Sequence, residues 1–394
     1  MTSPSSKAKR SVRSHGSAQD LVQDPVKLKL LGGMSAEQFM KKYWQKKPVC
    51  IRGALTGDGG LPSRQELMEL AEREDVESRL ISSIDGKWQL KHGPLQRKSM
   101  PALKRSHWTF LVQGVNLHHR GAHELMQQFR FIPDARLDDV MISWATDQGG
   151  VGPHFDSYDV FLIQATGKRL WRIGRQKGDR SLVPGLPVRI LAHFEPEEEM
   201  LLEPGDMLYL PPGWAHDGVA VGGDCMTVSV GFRVPKRADV ATELAGRMAD
   251  AYEDDTLYRD PQQQATQEPS RIPDELIEFA HESLLRMATD TDSMMCALGE
   301  WLTEPKPQVW FEGKGGSMGI GPIELDSKTN MQYSSPWVFI NGESFEASGK
   351  DEKILQQLAN TRQLSVSESK KLGSGALAVL QDWMEQGWLH LVAK

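Results

Sequence analysis

Two short segments, about sixty residues apart, constrain this chain more than any other part of it. The first is His154-Phe155-Asp156, and the second runs from Gly205 to His216 (GDMLYLPPGWAH). Residues i and i+2 of a β-strand point to the same face, so His154 and Asp156 can present a nitrogen and a carboxylate oxygen to one point. A histidine from a distant strand would complete a 2-His-1-carboxylate set, which leaves coordination positions open and is typical of non-haem Fe(II) oxygenases. The pattern predicts a metal site with oxygen chemistry.

The second segment has the turn chemistry that would place such a histidine. Residues 205–206 (Gly-Asp) predict a turn, residues 207–210 a short apolar strand, and residues 211–213 (Pro-Pro-Gly) a rigid second turn. The spacing of glycine, proline, glycine and His216 resembles the second motif of the cupin superfamily, and His-x-Asp in the first segment resembles the JmjC-type 2-oxoglutarate oxygenases. Where the cupin motif usually has asparagine, four residues after the histidine, this chain has Ala220. That difference puts one contact near the site in doubt, but not the metal ligands.

The strand after the first ligands carries a cation that we expect to be buried. Residues 159–164 and 168–173 predict strands, and residues 165–167 (Ala-Thr-Gly) predict a three-residue hairpin loop between them. Arg169 alternates onto the same face as Trp171, which we expect to point into a barrel. A buried charge requires a partner. Two partners are equally compatible with the sequence: a 2-oxoglutarate carboxylate, which guanidinium binds bidentately, or an acidic side chain of the protein.

Longer stretches resemble the bacterial ribosomal oxygenases of the RoxA type, which hydroxylate an arginine of large-subunit ribosomal protein L16. The matching stretches are 44–49 (WQKKPV), 83–88 (SIDGKW), 141–143 (MIS), 149–154 (GGVGPH), 159–161 (DVF) and 229–233 (SVGFR). The resemblance covers roughly residues 28 to 394 and is strongest between 138 and 235. It implies an α+β fold: a double-stranded β-helix barrel (jelly-roll or cupin, JmjC type), then a helical dimerisation region and a C-terminal winged-helix-like domain.

The same resemblance implies an enzyme, a 2-oxoglutarate-dependent non-haem iron dioxygenase that hydroxylates an arginine of L16. It implies three catalytic metal ligands and two cosubstrate contacts: His154, Asp156 and His216 for Fe(II), and Arg169 and Ser143 for 2-oxoglutarate. Asp147 and Tyr158 lie close to the first ligands in sequence. An acid and an aromatic face would suit a guanidinium substrate, so we consider both as substrate contacts.

Composition and periodicity divide the chain into four predicted parts. Residues 1–27 are a basic, serine-rich segment with few apolar residues, which predicts a disordered tail. Residues 28–235, the predicted JmjC/cupin catalytic domain, are dominated by short apolar strands separated by glycine and proline. Residues 236–304 show helical periodicity, and residues 305–394 predict the winged-helix-like domain.

The third part carries an apolar stripe. We expect helices over 239–254 and 273–298, the second with Leu276, Ile277, Ala280, Leu284 and Met287 on one face. Such a stripe can pack within its own domain or against a second subunit, and the family resemblance favours a homodimer.

The fourth part, residues 305–394, is predicted to contain both helices and strands. An Asn341-Gly342 turn predicts a hairpin of residues 337–340 and 343–345, and helices over 351–360 and 375–386 precede a final strand at 388–392. Its last helix has no basic recognition surface, so we expect no specific DNA binding.

Charge and cysteine content limit the remaining possibilities. The formal net charge is −7, which argues against general nucleic-acid affinity and suits a basic protein partner. Three cysteines without a C-x-x-C pair predict a reducing, cytoplasmic location. No apolar run approaches the ~20 residues that a membrane span needs.

Three rival functions remain open at this point. A metal cupin that acts on a small molecule would not need Arg169. A 2-oxoglutarate oxygenase could act on another ribosomal protein, for example on a histidine. A non-catalytic peptide-binding protein could keep the barrel, although the intact ligand set argues against it.

Overall fold

The computed structural model of the chain describes residues 27–57, 59–175, 178–313 and 321–392. Of the predicted tail at residues 1–27, all but Lys27 lies outside the described residues. In the described part of the chain, no helix is both long and apolar enough to cross a lipid bilayer.

Ten strands form one sheet, and every pairing within it is antiparallel. The strands are β1 (Val49–Ile51), β2 (Ser78–Ser82), β3 (Gln89–His92), β4 (Trp108–Val112), β5 (Leu137–Ala145), β6 (His154–Phe155), β7 (Asp159–Arg175), β8 (Glu198–Leu202), β9 (Met207–Leu210) and β10 (Trp214–Phe232). Their order is β1-β9-β7-β10-β5-β4-β2-β3, while β6 pairs with β10 and β8 with β7. The two longest strands, β7 and β10, pair along nearly their whole length. β7 begins shortly after Asp156, and β10 contains His216.

The hairpin predicted at residues 165–167 is wrong, because β7 runs through these residues without turning back. Gly167 has a φ of +63°, and a β-carbon there would lie 2.8 Å from the carbonyl oxygen of Asp224. On the facing strand the register shifts between Val221 and Met226. Gly167 therefore marks a bend opposite this irregularity, and glycine inside a strand is typical of either a bend or a turn.

Three short helices cover one face of the sheet: α1 (Ala36–Lys42), α2 (Arg64–Ala71) and α3 (Arg120–Gln127). Capping boxes at Ser35 and Ser63 begin α1 and α2. The helices bury their apolar faces against alternate residues of β5, β7 and β10.

An aromatic cluster lies at the centre of this core. Phe161 of β7 is fully buried, and its ring centroid lies 5.3 Å from Phe39, 4.8 Å from Phe129 and 4.9 Å from Tyr209. Large-to-small substitutions at such sites lose both the transfer free energy and packing contacts.

We expect Phe161→Ala to lower the free energy of unfolding by about 3–5 kcal/mol, measured by chemical denaturation. Trp310→Ala is the control, because that side chain is 70% exposed and should change stability by no more than about 0.5 kcal/mol. An equal effect of the two substitutions would contradict the assigned core.

The opposite face of the sheet forms a second, smaller core. Val160, Leu162, Trp171, Ile173 and Leu208 pack together there. This arrangement confirms that Trp171 and Ile173 share an interior face, and Arg169 is also buried. The inner face of the barrel is therefore the side on which the predicted site residues lie.

Three helices follow the barrel: α4 (Arg237–Ala251), α5 (Asp274–Thr289) and α6 (Thr291–Thr303). The single helix predicted over 273–298 is wrong, since two helices meet at Asp290. The Asp290 side chain accepts hydrogen bonds from the backbone N–H groups of Asp292 and Ser293, and so caps α6. α5 has no buried residue within the chain.

The last part has its own apolar core, which includes Leu358, Leu380 and Trp383. Its elements are β11 (Ile323–Leu325), β12 (Met331–Ser334), β13 (Trp337–Ile340), β14 (Glu343–Glu346), α7 (Gly349–Thr361), β15 (Gln363–Leu364), α8 (Val366–Ser369), α9 (Ser374–Glu385) and β16 (Leu389–Leu391). The predicted hairpin is confirmed, with positive φ at Asn341 and Gly342. We propose the limits 28–235, 236–304 and 305–394 for the three parts.

Candidate active site

The three predicted metal ligands lie together at one end of the inner face. β6 pairs with β10 so that His154 lies directly opposite His216, and Asp156 follows β6 immediately. The Asp156 Oδ2 atom is 3.9 Å from Nε2 of His154 and 3.7 Å from Nε2 of His216. One ligand atom from each side chain lies within 4.8 Å of the others, so the three residues could hold one metal ion.

Hydrogen bonds orient both imidazoles for metal binding. Nδ1 of His154 lies 2.9 Å from the carbonyl oxygen of Gly152, and Nδ1 of His216 lies 3.1 Å from that of Trp214. A carbonyl only accepts, so each Nδ1 carries the proton and each Nε2 keeps a lone pair directed at the site. Burial, together with the neighbouring His154, lowers the pKa of His216 to about 4, so this ring is neutral at pH 7.

Glycines let the two ligand segments approach each other. A β-carbon at Gly150 would lie 2.6 Å from the carbonyl oxygen of Gly218 on β10. Gly213, with a φ of +78°, donates its N–H to the carbonyl oxygen of Asp156 at 2.8 Å. These contacts fix the loop before His154 and the turn before His216 against one another.

Arg169 lies on the same inner face with part of its guanidinium unpaired. The side chain is buried, and Nη1 donates to the carbonyl oxygen of Gly218 at 3.0 Å. Nε and Nη2 have no hydrogen-bond partner, and Arg169 forms no ion pair with an acid in the described ranges. The salt bridge to a protein acid, one of the two alternatives from sequence, is thus absent there. Two unpaired N–H groups on one guanidinium suit a bidentate carboxylate.

The surroundings of Arg169 connect it to the metal ligands. Its guanidinium lies 5.7 Å from the ring centroid of Trp171, which in turn lies 5.7 Å from that of His216. Ala220 is the direct strand partner of Arg169, and its small side chain is buried. A carboxylate bound by the unpaired N–H groups of Arg169 would therefore lie inside the barrel.

Ser143 belongs to a polar row on three adjacent strands. It is opposite Thr227 of β10, which is opposite Gln164 of β7. The Thr227 hydroxyl donates to Oε1 of Gln164 at 3.0 Å, whereas the Ser143 hydroxyl has only a long contact, 3.5 Å, to a backbone oxygen. The residues next to these three along their strands belong to the core beneath α1, α2 and α3. The three polar side chains therefore point to the opposite, inner face of the sheet. Gln164 and Thr227 were not predicted from the sequence, although Gln164 is a polar amide within an otherwise apolar strand.

The two predicted substrate contacts lie in different surroundings. Tyr158 is 40% exposed, and burial of its hydroxyl together with the Asp156 carboxylate raises its pKa. Asp147 is not part of the ligand cluster: its carboxylate accepts a hydrogen bond from the N–H of Gly222 at 2.8 Å, in the bend of β10. Tyr158 therefore lies beside the metal ligand Asp156, whereas the carboxylate of Asp147 is bonded to the backbone of β10.

Two families of known proteins match separate parts of the chain, its middle and its C-terminal part. The JmjC domain family matches residues 124–240, and the ROXA-like winged helix family matches residues 322–390. The chain is 35% identical over 271 residues to the ribosomal protein uL16 3-hydroxylase of Escherichia coli (strain K12), which covers 69% of this chain and 72% of that protein.

Solved structures extend the match to nearly the whole chain. The X-ray structure of E. coli ycfD has a TM-score of 0.82 at 28% identity, over 91% of this chain and 98% of that one. The structure of E. coli YcfD in complex with cobalt and 2-oxoglutarate has a TM-score of 0.78 at 28% identity, over 91% and 99% of the two chains. The chain therefore belongs to the JmjC-domain ribosomal oxygenases, 2-oxoglutarate-dependent non-haem iron enzymes, as its sequence motifs predicted.

Proposed function

We propose that the chain hydroxylates an arginine residue of 50S ribosomal protein L16 (uL16), with Fe(II) as cofactor and 2-oxoglutarate as cosubstrate. The relative named uL16 3-hydroxylase supports this substrate, since the chain covers 72% of its length. The observation that carries the proposal is the buried, partly unpaired guanidinium of Arg169 beside a His-Asp-His cluster. A metal cupin without 2-oxoglutarate would have no use for such a group.

His154, Asp156 and His216 would hold the iron and leave its other positions open. When bound, iron supplies the activation of O2 that inserts oxygen into a C–H bond. Arg169 would bind the far carboxylate of 2-oxoglutarate through Nε and Nη2, and the Ser143 hydroxyl would donate to the same molecule. Trp171 and Ile173, both buried next to these groups, exclude water from the barrel interior.

The exposed part of the site would receive the substrate guanidinium. The Tyr158 ring would contact its face, and Asp147 would supply a carboxylate. Oδ1 of Asp147 already accepts a hydrogen bond from Gly222, so one of the two carboxylate oxygens would have to reach the substrate for this role.

A panel of peptides tests the substrate assignment. The Fe(II)-loaded protein is incubated with 2-oxoglutarate, O2 and one of three peptides: the L16 arginine peptide, the same peptide with lysine in place of arginine, or a histidine peptide of another ribosomal protein. We expect the first alone to gain one oxygen atom by mass spectrometry, at the arginine by fragmentation. Modification of the histidine peptide alone would assign the chain to a histidyl hydroxylase instead.

We also propose that the chain forms a homodimer through α5. Four of its five stripe residues are exposed, among them Ile277 at 54% and Leu284 at 64%, and Met287 is half-buried. Apolar residues of this size are usually covered. An amphipathic helix with no buried residue in its own chain suits an isologous contact with a second copy.

We expect the double substitution Ile277→Asp and Leu284→Asp to convert a dimer into a monomer, since it would bury four carboxylates in an apolar interface. Size-exclusion chromatography with light scattering would show the mass fall from twice 44.1 kDa to 44.1 kDa. Glu275→Ala, on the polar side of α5, is the control and should leave the dimer intact. A monomeric wild-type protein would overturn the proposal.

A further inference from the structure

Positive charge is concentrated on one surface of this acidic protein. Residues 87–107 contain six Lys or Arg and no Asp or Glu, whereas the whole chain has 46 and 53 of these. The six are all exposed, and together we call them the basic edge: Lys87, Lys91, Arg97, Lys98, Lys104 and Arg105. The net charge of −7 therefore conceals a local excess of cations.

The basic edge is continuous in space because it follows the last strand of the sheet. β3 carries Lys91, and Lys87 lies two residues before the start of the strand. Lys91 Nζ donates to the Ser99 hydroxyl at 2.9 Å, which holds the turn with Arg97 and Lys98 against the strand. At the other end Arg105 lies 3.8 Å from Asp85, two residues before Lys87.

Few acids neutralise these cations. The Arg105–Asp85 pair is long, and the Asp85 side chain is 86% exposed, so it contributes little. Within the ranges that the structure describes, the other five cations form no ion pair, although the backbone N–H of Arg97 donates to Glu72. A row of unpaired cations on an otherwise acidic protein attracts a polyanion.

The basic edge also borders the active site. The Trp88 ring, between Lys87 and β3, would lie 3.2 Å from a β-carbon at Gly152, and the carbonyl of Gly152 orients His154. At the end of the edge the N–H of His107 donates to the carbonyl oxygen of Asp147 at 2.8 Å. A partner bound along the basic edge would lie next to the segment 147–154.

We infer that the basic edge binds the phosphate backbone of RNA. Contacts from lysine and arginine to phosphates need no base recognition, and they position a protein on its nucleic acid. The inference rests on the proposed function, because a ribosomal protein is an RNA-bound substrate, and RNA held at the basic edge would present it beside His154. Charge complementarity favours RNA over an acidic protein, whose carboxylates are less densely spaced.

A binding experiment on the full chain, without metal or 2-oxoglutarate, tests the inference separately from catalysis. A labelled 20-nucleotide RNA of mixed sequence is titrated by fluorescence anisotropy at several salt concentrations. We expect affinity to fall with salt, and Lys87→Glu with Lys91→Glu to weaken binding by at least about tenfold and reduce the salt slope by about 2, one for each phosphate contact. Lys98→Glu with Lys104→Glu should act similarly, so the result does not depend on one variant.

The matched control is Lys370→Glu with Lys371→Glu, which changes the net charge equally at two exposed lysines of the C-terminal domain. It should bind RNA as the wild type does. Absence of RNA binding at low salt, an equal loss in the control, or equally tight binding of a polyglutamate peptide would each overturn the inference. Hydroxylation of the free L16 peptide without RNA binding would retain the proposed function alone, and the reverse result would retain the RNA surface alone.

Discussion

His154→Ala should abolish tight metal binding and reduce turnover of 2-oxoglutarate by more than about 100-fold, since loss of a group that merely supports a ligand already costs 10–100-fold. The three ligand atoms lie within 4.8 Å of one another, and none of the other described His, Cys, Asp or Glu side chains joins this cluster to replace the lost imidazole. Anaerobic titration with Fe(II) or Co(II) measures the affinity directly.

His193→Ala is the control for this prediction. His193 is a largely exposed histidine whose nearest acid is Asp179 at 3.8 Å, so its removal should leave metal affinity and turnover unchanged. A His154→Ala variant that kept wild-type affinity would place the metal elsewhere and contradict the assigned site.

Arg169→Ala should raise the KM for 2-oxoglutarate by about 100-fold, because two charge-assisted hydrogen bonds contribute roughly 3 kcal/mol between them. The metal ligands do not involve Arg169, so metal affinity should persist. Calorimetric titration of 2-oxoglutarate into the cobalt-loaded protein without O2 would show the weaker binding independently of turnover.

Arg172→Ala is the matched control, because Arg172 lies on the opposite face of β7 and pairs with Glu199 at the surface. Full activity and unchanged 2-oxoglutarate binding in Arg169→Ala would favour the rival metal cupin that acts on a small molecule.

The metal cluster was predictable because its determinants are local. Strand alternation places His154 near Asp156, and the Pro-Pro-Gly turn gives the direction of the chain before His216. The burial of Arg169 followed from its alternation with Trp171 and Ile173. The run of short apolar strands predicted a barrel, and the hairpin between helices predicted the winged-helix-like domain. The family resemblance added the JmjC type of the barrel.

Features that depend on distant strands were not predictable. Gly167 is compatible with a turn or a bend, and only the irregularity of the facing strand near Asp224 decides for the bend. The choice between a protein acid and an external carboxylate for Arg169 likewise required knowing every side chain around it. The break between α5 and α6 was also not predicted, for a different reason. Asp290 follows the end of α5 and caps α6, but the apolar pattern continues across this position without interruption.

The basic edge shows the same limit for charge. A net charge of −7 argued against nucleic-acid affinity, yet the average hides where the cations lie. Only the sheet topology shows that residues 87–105 follow an exposed edge beside the active site.

The most direct test of the central claim is an isotope experiment on the L16 arginine peptide. The Fe(II)-loaded protein is given 2-oxoglutarate and oxygen-18 gas, and the peptide is analysed by mass spectrometry. We predict that the arginine gains one oxygen-18 atom, that succinate forms in equal amount, and that both products are lost in His154→Ala. An unmodified peptide despite full conversion of 2-oxoglutarate to succinate would contradict the assignment of L16 arginine as the substrate, and absence of both products would contradict the oxygenase site itself.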